Sequence, residues 1–280
     1  MARAYYCLVA GFPDFALDEA KLPLTTASLR ADLEEQLAPE DRAYLAMLFW
    51  PVDCRNLLSV LTGKPEHDAS GNFARDVLEE EVRTPVLLPL YMREFLDLYR
   101  AGLSAGVHPE NVLADLMYRE KAGCSNAFIR GWSAFDRDLR NIVAALGCRR
   151  TGAEPEREIV GEGLVAEAVR RASGSDFGLA RELVWLEPLI RSWGQTLLDR
   201  ELAIDRIKMD VLDELTVSSG FSIDKVLAFV LRLGIAERWL ALDAATGREM
   251  LRRILTDMES GLVFPEEFSI RGGSKHGDNR

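Results

Sequence analysis

Residues Asn126–Gly147 read NAFIRGWSAFDRDLRNIVAALG, and their apolar members decide the fold class. Phe128, Trp132, Phe135, Leu139, Ile142, Val143 and Leu146 step by three or four, the spacing that lines one face of a helix. The stretch predicts an amphipathic helix of about five turns, ending near Gly147. Helical spacing continues on both sides. Upstream, Leu29, Leu33 and Leu37 recur every four residues behind the capping residues Thr25, Thr26 and Ser28, and Pro39 breaks that helix. An apolar run from Tyr44 to Trp50 follows. Pro51-Val52-Asp53 then starts a short helix, with Asp53 as its N-cap, Leu57, Leu58 and Leu61 on its apolar face and Gly63 as its stop.

His67 to Asn72 is polar and reads as a loop, and Thr84 to Arg100 reads as a helix with Pro89 near its start or at a kink. After Pro188 a long helix is expected through Leu215, ended by Gly220. Ser222 caps the next, and a last helix is expected from about Thr246 to Glu259. Only Tyr5 to Val9 and Thr84 to Leu88 have a strand's composition, and neither alternates cleanly. The expected class is therefore all-α. The spacing suggests an N-terminal helical region over 1–148, a linker or boundary at 149–160, a C-terminal helical region over 161–268 and a disordered tail at 269–280.

The totals narrow the function. A formal net charge of -11 does not favour nucleic acid, whose affinity for proteins comes mainly from neutralised phosphates. The four cysteines form no C-x-x-C pair and read as reduced thiols. No stretch approaches the roughly 18–20 apolar residues of a membrane span, and the N-terminus makes a poor signal peptide. The expectation is a cytoplasmic protein that reaches a membrane only through partners.

Motifs of chemistry are scarce. His67, His108 and His276 each lack a second His or Cys three or four residues away, so no local zinc site is expected. Gly63-Lys64 lacks the rest of a phosphate-binding loop, and nothing before Gly161-Glu162-Gly163 reads as a strand. Glu79-Glu80-Glu81, and Asp210 and Asp213 with Glu214, read as solvated helix faces rather than acid–base pairs. No catalytic residue, metal, cofactor or small-molecule substrate is expected.

One constellation recurs. Trp50-x-x-Asp53-x-x-Asn56-Leu57-x-x-x-Leu61 is matched, 85 residues on, by Phe135-x-x-Asp138-x-x-Asn141-Ile142-x-x-x-Leu146. A weaker third copy, Phe221-x-x-Asp224-x-x-Leu227, lacks the Asn. The aromatic and apolar members share one helix face, while Asp and Asn stand together on a neighbouring one, able to cap or bridge helix ends. The spacing fits related helical units, chance recurrence of D-x-x-N being the alternative.

These segments resemble the D-x-x-N-L/I signatures of the C/d subunit of V/A-type rotary ATPases. That all-helical, funnel-shaped subunit has pseudo-threefold repeats and seats the central stalk on the membrane rotor ring. Most of the chain is similar to a bacterial family encoded among V/A-type ATPase genes, through Tyr5-Tyr6-Cys7-Leu8-Val9-Ala10-Gly11-Phe12-Pro13-Asp14, Leu212-Asp213-Glu214-Leu215, Phe221 to Leu233 and Glu237-Arg238-Trp239. The resemblance implies a non-catalytic subunit at the inner membrane's cytoplasmic face, with the central-stalk helices and the proteolipid ring as partners. It marks Asp53, Asn56, Asp138, Asn141, Asp224, Glu237, Arg238 and Trp239 as structural positions. An assembly factor absent from the finished ATPase, and an enzyme with a helical active site, are the other readings.

Overall fold

The computed structural model describes residues 4–15, 22–104, 106–171 and 174–261, the last from 243 onward as backbone. Among the described residues there are eleven α-helices, one short 3-10 turn and no strand. The all-α expectation holds at that level. The tail at 269–280 and His276 lie outside the described residues.

The chain divides into two compact units, one of residues 1–14 and 23–235, the other of 15–22 and 236–280. In the first, α1 (Tyr6–Gly11) stands where a strand was one option. Helix α2 (Thr26–Gln36) opens on a Thr25–Ser28 capping box, and α3 (Pro39–Leu61) follows with Pro39 at its N-terminus. Pro51 does not start a new helix, and Asp53 is not an N-cap. Both lie inside α3. The proline removes one backbone bond, but Phe49, Trp50 and Leu57 are buried on either side of it, and their packing outweighs the local cost.

Helices α4 (Arg75–Glu81), α5 (Leu90–Ala101) and α6 (Pro109–Ala122) complete a first group. Within it α3 packs on α4 and α6, and α5 packs on α6. Its core is Trp50, Leu57, Leu78, Leu88, Tyr91 and Phe95 with their neighbours. The expected helix from Thr84 begins six residues late, with Pro89 at its N-cap. Residues 84–88 are irregular because Pro85 and Pro89 hold the chain out of helical hydrogen bonding.

Helix α7 (Ala127–Thr151) opens on Asn126, whose Oδ1 accepts from Ile129 N at 2.8 Å. It runs past Gly147 and stops at Gly152, which takes the left-handed conformation, φ 72°. The 149–160 segment thus begins as the end of α7 and finishes in Ile159 and Val160, both buried. Helices α8 (Leu164–Arg171), α9 (Leu186–Ser192) and α10 (Leu197–Thr216) follow. Helix α7 packs on α8 and α10, and α9 packs on α10. Phe135, Ile142, Val169, Leu186, Leu189 and Ile207 belong to this second core. The single helix expected after Pro188 is two, divided where a Thr196–Asp199 capping box starts α10.

Helix α11 (Ile223–Gly261) is continuous, so the separate helix expected from Thr246 is its later half. Ser222 Oγ accepts from Asp224 N at 3.2 Å at its start. The second compact unit takes in α11 from Ala236 onward. There Arg238 lies over the Trp239 ring, 5.7 Å from its centroid. No helix among the described residues is long and apolar enough to cross a membrane.

Candidate functional site

Asn56 is buried near the C-terminal end of α3 and faces the 63–74 loop. Its Nδ2 donates to Asp68 O at 2.8 Å, and its Oδ1 accepts from Asp68 N at 2.9 Å. One side chain thereby satisfies both backbone groups of a loop residue. Asp53, one turn earlier, accepts from Asn72 N at 2.6 Å and from Asn72 Nδ2. Burial pushes its carboxyl above the ordinary aspartate range, and the Asn72 bonds oppose that only in part. Arg30 closes the other side through Ser70 O, Gly71 O and Asn72 Oδ1, its guanidinium lying over Phe49. Asn72 also donates to Ala46 O at 3.0 Å, next to the turn that Pro51 disturbs.

Asn141 repeats the grip. Its Nδ2 donates to Val160 O at 2.8 Å and its Oδ1 accepts from Val160 N at 2.9 Å. The aromatic three residues before each Asp is also similarly placed. Trp50 packs on Tyr91 at the start of α5, and Phe135 meets Trp185 at the start of α9 edge-on. The aspartates differ. Asp138 holds no loop; it pairs with Arg137 at 3.0 Å, and burial raises its carboxyl against that pairing.

The third copy departs further. Phe221 precedes α11 and is exposed, Asp224 lies in the first turn, and Leu227 is wholly buried where an Asn would be. Asp224 accepts from Asn126 Nδ2 at 2.8 Å, tying the first turn of α11 to that of α7. Glu237, Arg238 and Trp239 belong to the other compact unit. Sequence spacing thus brings Asp53 and Asn56 to one loop, but separates Asp138 from the grip that Asn141 makes.

A cleft of about 760 Å³ lies beside Val160, walled by α6 and the 156–162 segment. Arg119 pairs with Asp115, and Arg137 with Asp138. Arg170 Nη2 donates to Gly161 O at 2.9 Å, and Asn111 Nδ2 to Arg157 O at 2.6 Å. Gly161 takes φ 74°, a conformation that favours glycine, and a Cβ there would press on Arg137 Cδ at 3.3 Å. The Arg170 and Asn111 bonds tie the 157–161 segment to α8 and α6.

No G-x-S-x-G nucleophile elbow is expected from the sequence, yet Gly102-Leu103-Ser104-Ala105-Gly106 carries its letters. It joins helix α5 to helix α6, not a strand to a helix, and no hydrogen bond among the described contacts links Ser104 to His108. Among the described residues no three His, Cys, Asp or Glu side chains converge to hold a metal. Cys7, Cys54, Cys124 and Cys148 are free thiols.

Two buried charges also escape sequence reading. Lys121 in α6 is buried with its ammonium over the Trp50 ring, and burial lowers it to about 8 although Asp136 opposes. Glu81, expected with Glu79 and Glu80 on a solvated helix face, is instead buried: it ends α4 and turns its carboxylate onto the 86–88 backbone, from whose N–H groups it accepts. A charge between apolar helical positions is the only sequence signal for either.

A family model described as protein of unknown function (DUF2764) matches residues 1–262. No curated protein and no solved structure matches the chain.

Proposed function

This chain belongs to the DUF2764 family, and we propose that it is a non-catalytic subunit of a bacterial V/A-type rotary ATPase that links the central stalk to the membrane rotor ring. The observation that supports this reading is the recurring asparagine grip. Two successive helical groups, α3–α6 and α7–α10, each open on a long helix. In each, an Asn six residues after an aromatic takes both backbone groups of a residue in the loop that follows. The order of helix packing within the groups is the same. In the proposed funnel these are two of three related units, and α11 opens the third with Leu227 in the Asn place.

The mechanism is mechanical. A part that transmits torque must not yield between its contacts. Close-packed helices with aromatic anchors, and loops pinned from the helix behind them, supply that stiffness. The chain would sit on the cytoplasmic side of the inner membrane, held by the stalk helices and the proteolipid ring, with no bond made or broken in it. Solubilised native membranes carrying an affinity-tagged chain test this. The reading expects stalk and ring subunits to co-purify in fixed proportion. Recovery with one free subunit, and absence from the intact ATPase, would instead make it an assembly factor.

A further inference from the structure

We propose that the cleft between α6 and the 156–162 segment binds a small organic acid, whose single carboxylate meets Arg170 and whose apolar body lies on Val107 and Val112. All three side chains line the cleft. Its volume, about 760 Å³, falls within the roughly 300–1,000 Å³ of small-molecule sites and far exceeds one inorganic ion.

The lining charges set the sign of the ligand. Four arginines and three carboxylates line the cleft. Arg119 pairs with Asp115, and Glu162 adds to the negative field around it. Arg137 pairs with Asp138, and His108 faces Glu158 at 3.5 Å. Arg157 and Glu156 are both exposed, where water and salt screen them.

Arg170 is the charge that remains. It is half-buried, and its Nη2 donates to Gly161 O at 2.9 Å and to Ile159 O at 3.4 Å. Among the described residues no carboxylate lies within ion-pair distance of it, and its Nε and Nη1 have no acceptor. The two carbonyls fix the guanidinium without neutralising it. A cation held half out of water in this way favours an anion that shares its burial. The backbone beside it offers the same sign. Gly161 and Glu162 line the cleft, and their N–H groups have no acceptor among the described contacts. One unanswered guanidinium matches one carboxylate, and the exposed Glu156 and Glu162 oppose a polyanion.

NMR titration of the purified full-length chain with benzoate, benzamide, acetate and phenyl phosphate, read at the Gly161 and Glu162 amides, tests the site. Benzoate is expected to shift both amides, to bind at least about tenfold more tightly than benzamide or acetate, and to weaken with added salt. R170M is expected to weaken benzoate at least about tenfold, and R150M, at the exposed end of α7, less than about twofold. Because R170M also frees two carbonyls, E156Q/E162Q is a second variant that leaves the bonds of the walls intact. It is expected to tighten benzoate at least about twofold and to leave benzamide unchanged. Benzoate no tighter than benzamide, phenyl phosphate tighter than benzoate by about tenfold, or shifts confined to other residues would each overturn the proposal. So would unchanged affinity in E156Q/E162Q, or in an R170M chain that melts like wild type. No ATPase subunit enters the titration, so its failure leaves the rotary reading untouched.

Discussion

Asn56 and Asn141 make the same pair of hydrogen bonds, but to different kinds of residue. Val160 is 2% exposed, whereas Asp68 is exposed. Removing Asn141 therefore strands a buried N–H and a buried C=O, while removing Asn56 leaves groups that water can reach. N141A is expected to lose about 2–4 kcal/mol and N56A about 1–2 kcal/mol, read from urea denaturation at constant slope. Gly71 predicts a second cost. Its φ is unremarkable, but a Cβ there would lie 2.6 Å from Asp53 Oδ1 and 2.9 Å from Asn56 Nδ2. G71A should lose about 2 kcal/mol and loosen the 68–72 loop to proteolysis, and a melting curve equal to wild type would contradict this. Lys121 gives a pH signature. Its pKa falls from 10.5 to about 8 on folding, so between those values the unfolded chain holds a proton that the fold has shed. Stability should then rise with pH across that window, by on the order of 3 kcal/mol, and K121M should flatten the rise. At this scale the D-x-x-N spacing made the asparagines legible. It could not name Asp68 or Val160, because a side chain's partner across a loop leaves no mark in local periodicity.

Helices were legible where apolar spacing was uninterrupted and misread where a local signal competed with packing. Pro51 looks like a helix start, but Trp50 and Leu57 are both buried from one α3 that passes through it. Leu189 to Leu215 keeps a helical period across a real break, because Trp193 packs with the same core as the residues on both sides. Thr196 and Asp199, a capping pair, were the overlooked sign of that break. The 84–88 segment was ambiguous between strand and helix because its apolar residues point two ways: Leu88 inward, Val86 and Leu87 outward. What sets its path is Glu81. Burial raises that carboxyl, but three backbone donors outweigh the burial and hold it below the ordinary glutamate value of 4.5. Its contribution is then full above pH 4.5 and is lost as pH falls through the lower folded value. At neutral pH, E81A should speed amide exchange at Val86, Leu87 and Leu88 by at least about tenfold, with α7 unchanged. Equal protection in E81A and wild type would remove the carboxylate from its role.

For the whole chain, composition and periodicity made the all-helical class legible, because the apolar residues fall at helical intervals from Leu29 to Val230. Its division into units was not legible, since Gly152 and Pro155 look like a linker while Ile159 and Val160 beside them are core. The proposed function rests on reading Asn56 and Asn141 as marks of related units, and on the proposal that a stiff helical body serves a rotor rather than a reaction. The measurement that bears on this most directly is ATP-driven ion pumping in membranes from cells lacking the gene, compared with ATP hydrolysis in the same membranes. The proposal predicts that pumping falls to background while detached catalytic heads still hydrolyse ATP, and that restoring the chain restores coupling. Intact assembly with wild-type pumping per ATP hydrolysed would contradict it.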